Sequence, residues 1–251
     1  MTGNNNNNKR RFVTCTEVDR ISNLPENLIE LILEKLPVQD AMRTHVLSKK
    51  WLYKWTTLSS LVLDEHFSKK LAKNGAFVHN GFIRITNQIF NFLKGPRIKL
   101  HLHIPYVALD SFQEVNQWIL SLSRDGVKEL VLINKNQRYR LPCYFFSCLD
   151  LRMLELENCL IKPPLDFQGF LYLEDLVLRN IEFGANSNGT IINLPQLKKL
   201  KMDECTNVYN FKIKSTKLFQ LVLRTCPAAT LLQLLHSKCL SVVVILFKKP
   251  S

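Results

Sequence analysis

His101 and His103 stand one residue apart in Lys99-Leu100-His101-Leu102-His103, so a strand there puts both imidazoles on one side. Two imidazoles could begin a metal site. A zinc site needs further cysteine, histidine or carboxylate ligands, and none stands at zinc spacing from this pair. They read as surface histidines. Asp64-Glu65-His66 sets an acid beside a base. No nucleophile is implied nearby, so this cluster reads as solvated. The seven cysteines are Cys15, Cys143, Cys148, Cys159, Cys205, Cys226 and Cys239. Their number is odd and they form no C-x-x-C pair, which fits a reducing compartment. Neither G-x-S-x-G, a Walker loop nor H-E-x-x-H occurs. With eight glycines, a phosphate-cradling loop has little to be built from. The residues point to a binding protein, not an enzyme, with no catalytic residue, metal or cofactor.

Composition narrows the setting. Hydrophobic residues make up 46% and charged residues 22%, ordinary for a folded soluble chain. No apolar run approaches the roughly 20 residues needed to span a bilayer, and no signal peptide is visible. Nucleus or cytoplasm is the expected location. The net charge of +13 favours acidic partners, nucleic acid among them. No long basic run or aromatic–basic platform stands out, so lysines and arginines spread over solvated faces are the simpler reading. Asn4 to Asn8 followed by Lys9-Arg10-Arg11 form a polar lead-in, expected to be disordered, with too short a basic run to argue for nuclear import.

One pattern recurs through most of the chain. L-x-x-L-x-L first appears at Leu58, Leu61 and Leu63 and returns at Val127, Leu130 and Leu132. It continues at Leu151/Leu154/Leu156, Leu173/Leu176/Leu178, Leu197/Leu200/Met202, Leu218/Leu221/Leu223 and Leu240/Val243/Ile245. Successive starts from Leu151 are 22, 24, 21 and 22 residues apart. Leu100 and Leu102 supply one more strand. A period in the low twenties is the leucine-rich-repeat signature: each L-x-L pair points inward along a short strand, and stacked units share one core. Cys159, Cys205 and Cys226 follow the strands as small inward fillers. Repeat phase then names an outward column of Val62, His101, Val131, Glu155, Val177, Lys201 and Val222. Beside it runs a second column of Asp64, His103, Ile133, Glu157, Arg179, Asp203 and Arg224. Between the first two strands, Phe82, Ile85, Ile89 and Phe92 lie at helical spacing within residues 77–95. Residues 111–123 read as another convex-side helix, with Phe112, Val115, Ile119 and Leu122 inward. Gly184 to Gly189 reads as a surface loop.

The stretch from Asp19 to Trp55 is different. A helix is expected from Pro25 to Leu36, with Ile29, Ile32, Leu33 and Leu36 on one face, widened by Leu28 and Leu31, and with Glu26, Glu30 and Glu34 on the wet side. Pro37 ends it. A second helix is expected from Gln39 to Leu47, and a third over Lys49-Lys50-Trp51-Leu52-Tyr53-Lys54-Trp55, with Ser48 as N-cap. So much apolar surface on three short helices goes either into this chain's own core or into a groove on another protein.

Leu24-Pro25, the Ile/Leu helix, Leu36-Pro37 and Val46-Leu47-Ser48-Lys49-Lys50-Trp51 resemble the F-box of plant F-box proteins without a gap. With the repeats that follow, the chain resembles the plant F-box/leucine-rich-repeat family, whose members often carry a C-terminal FBD domain. The resemblance implies an α/β fold: a three-helix F-box over 19–56, then a solenoid over 57–247 with parallel strands on the concave face and helices and irregular turns on the convex face. Residues 1–18 and 248–251 are tails, and the last repeat is incomplete. No room remains for an FBD domain, which suggests a truncated product or short isoform. The resemblance also implies docking on the SKP-type adaptor of an SCF (cullin-RING) ubiquitin ligase through Leu24, Pro25, Leu28, Ile32, Leu33, Leu36, Pro37, Val46, Leu47 and Trp51. The two outward columns are then the expected surface for a protein substrate. Two other roles stay open: a decoy that binds the adaptor without substrate, and a basic nucleic-acid-binding or scaffold protein.

Overall fold

The computed structural model describes residues 20–73, 81–106, 111–184, 191–208, 212–226 and 241–246. The expected tails 1–18 and 248–251, all of the 184–189 loop beyond Gly184, Leu240, Cys15 and Cys239 lie outside these residues. Eight strands form one parallel sheet in simple sequence order. They are β1 (Ser60–Leu63), β2 (Lys99–Ile104), β3 (Glu129–Asn134), β4 (Met153–Glu157), β5 (Asp175–Arg179), β6 (Lys199–Asp203), β7 (Gln220–Arg224) and β8 (Val242–Leu246). Register matches the repeat phase: Leu61, Leu100, Leu130, Leu154, Leu176, Leu200, Leu221 and Val243 stand side by side. From Leu61 to Leu221 these positions are buried. A strand with leucines at every second position cannot hide them alone. Stacking turns them into one continuous core, and the α/β solenoid follows.

The turn after each strand repeats as well. Asn158, Asn180, Glu204 and Thr225 immediately follow β4 to β7 with φ of 55°, 48°, 51° and 50°. This left-handed conformation costs little for asparagine and more for other side chains. The asparagines also link neighbouring turns. Asn158 Nδ2 donates to the Asn136 carbonyl at 2.6 Å, and Asn180 Nδ2 donates to Asn158 Oδ1 at 3.2 Å. Beyond the turns, Tyr139–Arg140, Cys159–Ile161 and Glu182–Phe183 form a small parallel sheet, and Ile191–Asn193 pairs with Lys212–Lys214. Phe145, Phe146, Phe167 and Phe170 pack edge to face behind β4 and β5. Cys159 and Cys205 are buried fillers as expected, and Cys226 is half-buried.

Among the described residues, α-helices occur before β3, and none follows it. Helix α1 spans Glu26–Lys35, α2 Val38–Arg43, α3 Glu65–Lys73, α4 Gly81–Phe92 and α5 Gln113–Leu122. Helix α5 buries Val115, Trp118, Ile119 and Leu122, with Phe112 only partly covered. In α4 the inward face is Phe82, Ile83, Thr86 and Ile89; Phe92, at helical spacing with Phe82 and Ile89, is exposed. Helix α3 is not apparent from apolar periodicity. Asp64 starts it, its Oδ1 accepting the Phe67 N–H at 2.9 Å. The Asp64-Glu65-His66 cluster is therefore a helix start, where an acidic side chain satisfies an orphan donor.

The third helix expected after Ser48 does not form. Residues 49–53 are turns, Tyr53 has φ 63°, and a 3-10 turn follows at Lys54–Thr57. Ser48 Oγ makes no hydrogen bond, so the cap that would start such a helix is missing. Trp51 and Trp55 are instead drawn into the core from irregular backbone.

Candidate functional site

Helix α1 carries two adjoining apolar stripes, one buried and one exposed. Ile29 and Leu33, four apart, are buried in the chain's own core. Leu28, Leu31 and Ile32 point to solvent, with Leu28 and Ile32 each 40% exposed. The sequence placed Ile29, Ile32 and Leu33 on one face; the structure divides them. Pro25 and Pro37 are exposed, and Leu24 and Leu36 are half-buried. After α2, the 3-10 turn Thr44–Val46 lifts Val46 into solvent at 75% exposure, next to exposed Leu47. Leu52 and Tyr53, which the motif reading missed, extend this surface. An apolar groove of about 470 Å³ borders it, between α2 and α4, with Met42, Leu52, Tyr53 and Phe92 among its walls.

Two of the expected adaptor contacts need correcting. Leu33 is 1% exposed and Trp51 is 2% exposed. Both are already covered by this chain, so neither offers surface to a partner. Their role is to build the platform. Trp51 Nε1 donates to the Ile21 carbonyl at 3.3 Å, and Lys50 Nζ donates to the Leu24 carbonyl. Together these clamp the segment that leads into α1.

The concave sheet is the second surface. Its middle row is Val62, His101, Val131, Glu155, Val177, Lys201 and Val222, each paired in register with the next. The row beside it runs His103, Ile133, Glu157, Arg179, Asp203 and Arg224. Asp64 falls outside β1, and its carboxylate is taken by the α3 cap. Val131, flanked in register by His101 and Glu155, is buried, so it contributes no exposed patch.

Charge is distributed unevenly over this face. Glu129 accepts from Lys99 at 2.8 Å and from His101 Nε2 at 2.6 Å. Burial alone would raise the Glu129 carboxyl, but the hydrogen bonds from Lys99 and His101 outweigh it and hold its pKa below the usual value. Glu157 pairs with Lys135, and Glu155 with Arg179. Burial, then the Lys135 charge, lowers the pKa of His103, which favours its neutral form. Among the described residues no group of three His, Cys, Asp or Glu could hold a metal. Nor is any helix among them long and apolar enough to cross a membrane. Burial pushes the Cys148 thiol up to about 12 and raises Cys159 further, so neither offers a thiolate at neutral pH.

Residues 21–63 match the F-box domain, and residues 115–249 match the leucine-rich repeats described for "FBD-associated F-box protein At5g56370". The second match alone covers more than half of the chain. The chain belongs to the F-box/LRR-repeat family. Similar proteins include the Arabidopsis thaliana F-box/FBD/LRR-repeat protein At1g13570, 40% identical over 163 residues, covering 65% of this chain and 38% of that one. F-box/FBD/LRR-repeat protein At2g04230 of the same plant is 31% identical over 219 residues, covering 82% of this chain and 47% of its own length. F-box/LRR-repeat protein At2g42730, also from Arabidopsis thaliana, is 28% identical over 196 residues, covering 73% and 43%. This F-box/LRR chain thus spans about two fifths to half the length of the relatives it matches. No solved structure matches it. The F-box match encloses the outward stripe of α1 together with Val46 and Leu47, and the repeat match encloses β3 to β8.

Proposed function

We propose that this chain is a non-catalytic substrate receptor of an SCF-type ubiquitin ligase. Pro25, Leu28, Ile32, Pro37, Val46 and Leu47 meet the SKP-type adaptor, and the concave sheet receives a protein target in the nucleus or cytoplasm. The observation that carries this reading is the outward apolar stripe of α1, with Val46 beside it, inside the F-box match. Such a surface costs free energy in water, and a helix lying in a partner's groove removes that cost. Transfer chemistry is then done by other subunits, and this one contributes proximity. Size-exclusion chromatography of the chain with a plant SKP-type adaptor tests the reading. A stoichiometric complex is expected; separate elution at micromolar concentrations would refute it.

A further inference from the structure

The concave face does not hold its charges evenly. On β3 and β4 every outward carboxylate already has a cation of this chain: Glu129 has Lys99 and His101, Glu155 has Arg179, and Glu157 has Lys135. On β6 and β7 the balance reverses. The side chains of Lys201 and Arg224 have no ion-pair or hydrogen-bond partner among the described residues, whereas Lys199 lies 3.7 Å from Asp175. Lys201 stands between Val177 and Val222 in the middle row, and Arg224 stands beside Asp203 in the next. These residues rim a depression of about 300 Å³ on the sheet, floored on either side of Lys201 by the two half-buried valines.

We infer that the β5–β7 face binds an acidic, extended segment of the target, with glutamate side chains from alternate positions reaching Lys201 and Arg224 and their methylenes lying over Val177 and Val222. This deepens the receptor reading and rests on it. One strand step and two residues separate Lys201 from Arg224, about 8 Å between backbones by sheet geometry, and alternate side chains of an extended peptide lie about 7 Å apart. A Glu-x-Glu spacing therefore fits both cations. Nucleic acid fits less well. The outward positions of β5 to β7 include no aromatic side chain on which a base could stack, and two unpaired cations track little backbone.

The test uses the full chain and a fluorescein-labelled alternating Glu-Val octapeptide, read by fluorescence anisotropy. Parallel probes are the Gln-Val peptide, a phosphoserine-Val peptide and a single-stranded RNA oligomer. The Glu-Val peptide is expected to bind, to bind about tenfold more tightly than Gln-Val, and to lose that advantage in Lys201→Glu/Arg224→Glu. The same peptide is expected to dissociate as salt is raised. Lys162→Glu/Lys214→Glu, changed by the same charge away from this face, is the control and is expected to bind as the unaltered chain does. Equal binding of Glu-Val and Gln-Val, no effect of the β6/β7 charge reversal, or RNA or phosphopeptide binding stronger than Glu-Val would overturn the inference. Thermal melts confirm that the variants fold. Adaptor binding is measured on the same samples. Adaptor bound without peptide sinks this inference alone, while peptide bound without adaptor sinks the receptor reading.

Discussion

Val46→Asp separates a docking surface from a packing surface. Val46 is 75% exposed, so the change touches little of this chain's own core and is expected to alter folding stability by no more than about 0.5 kcal/mol. In the adaptor complex proposed above, the same position would be buried. Complete burial of a valine contributes about 1.5 kcal/mol, and the three quarters still uncovered leave about 1 kcal/mol to be gained there. Aspartate forfeits that and adds at least about 2 kcal/mol for desolvating a carboxylate. The loss of about 3 kcal/mol corresponds to a more than hundredfold weaker Kd. Leu28, Leu31, Ile32, Val46 and Leu47 together leave about two and a half side chains' worth of apolar surface uncovered, or roughly 4–8 kcal/mol. That only matches the lower part of the association cost of about 4–15 kcal/mol, so the interface has little to spare. Leu33→Ala is the counterpart. At 1% exposure it is expected to cost about 2–5 kcal/mol of stability. Calorimetric titration with the adaptor and thermal melts read both variants. A Val46→Asp chain that melts normally and binds within threefold of the unaltered chain would refute the reasoning.

Three further outcomes follow from the solenoid. Gly169 has φ 122°, and an added Cβ would sit 1.9 Å from the Asn193 carbonyl oxygen; Gly169→Ala is expected to destabilise the repeats by about 2–4 kcal/mol in urea titration, and an unchanged midpoint would contradict this. Thr225 holds the left-handed turn position that Asn158 and Asn180 fill elsewhere, so Thr225→Asn is expected to stabilise the chain by about 1 kcal/mol, seen as a raised Tm. His103 faces Lys135, Glu65, Glu157 and Asp64, and its pKa is lowered in the folded state from 6.5. The unfolded chain then binds more protons just below that value, so stability falls as pH drops below about 6.5. Melts from pH 7.5 to 5.5 should show this decline, and His103→Gln should flatten it.

The sheet was legible because its signal is redundant. Each L-x-L pair fixes two inward positions, and the period sets register, so the middle row from Val62 to Val222 follows from phase alone. Turn chemistry was harder to read. The left-handed position is asparagine at 158 and 180 but glutamate at 204 and threonine at 225, so residue type does not mark it consistently. Helix α3 was hidden because its start depends on one Asp64 hydrogen bond rather than on a long apolar stripe. Periodicity found the apolar breadth of α1 but could not say which stripe turns inward. Ile29 and Leu33 pack against the chain because the clamped Ile21–Leu24 segment and the buried tryptophans fix the helix's rotation. For the same reason Trp51, aromatic and motif-matched, was misplaced: the motif gives its identity, and only packing gives its direction. The charge asymmetry of the concave face depends on which cation reaches which carboxylate across strands, which no linear pattern records.

Hydrogen exchange of the chain with and without the adaptor tests the central claim most directly. Slowed exchange is expected in α1 and over residues 44–53, with β5 to β7 unchanged and still free for a target. Protection over residues 199–224 with none in α1 or around Val46 would contradict it.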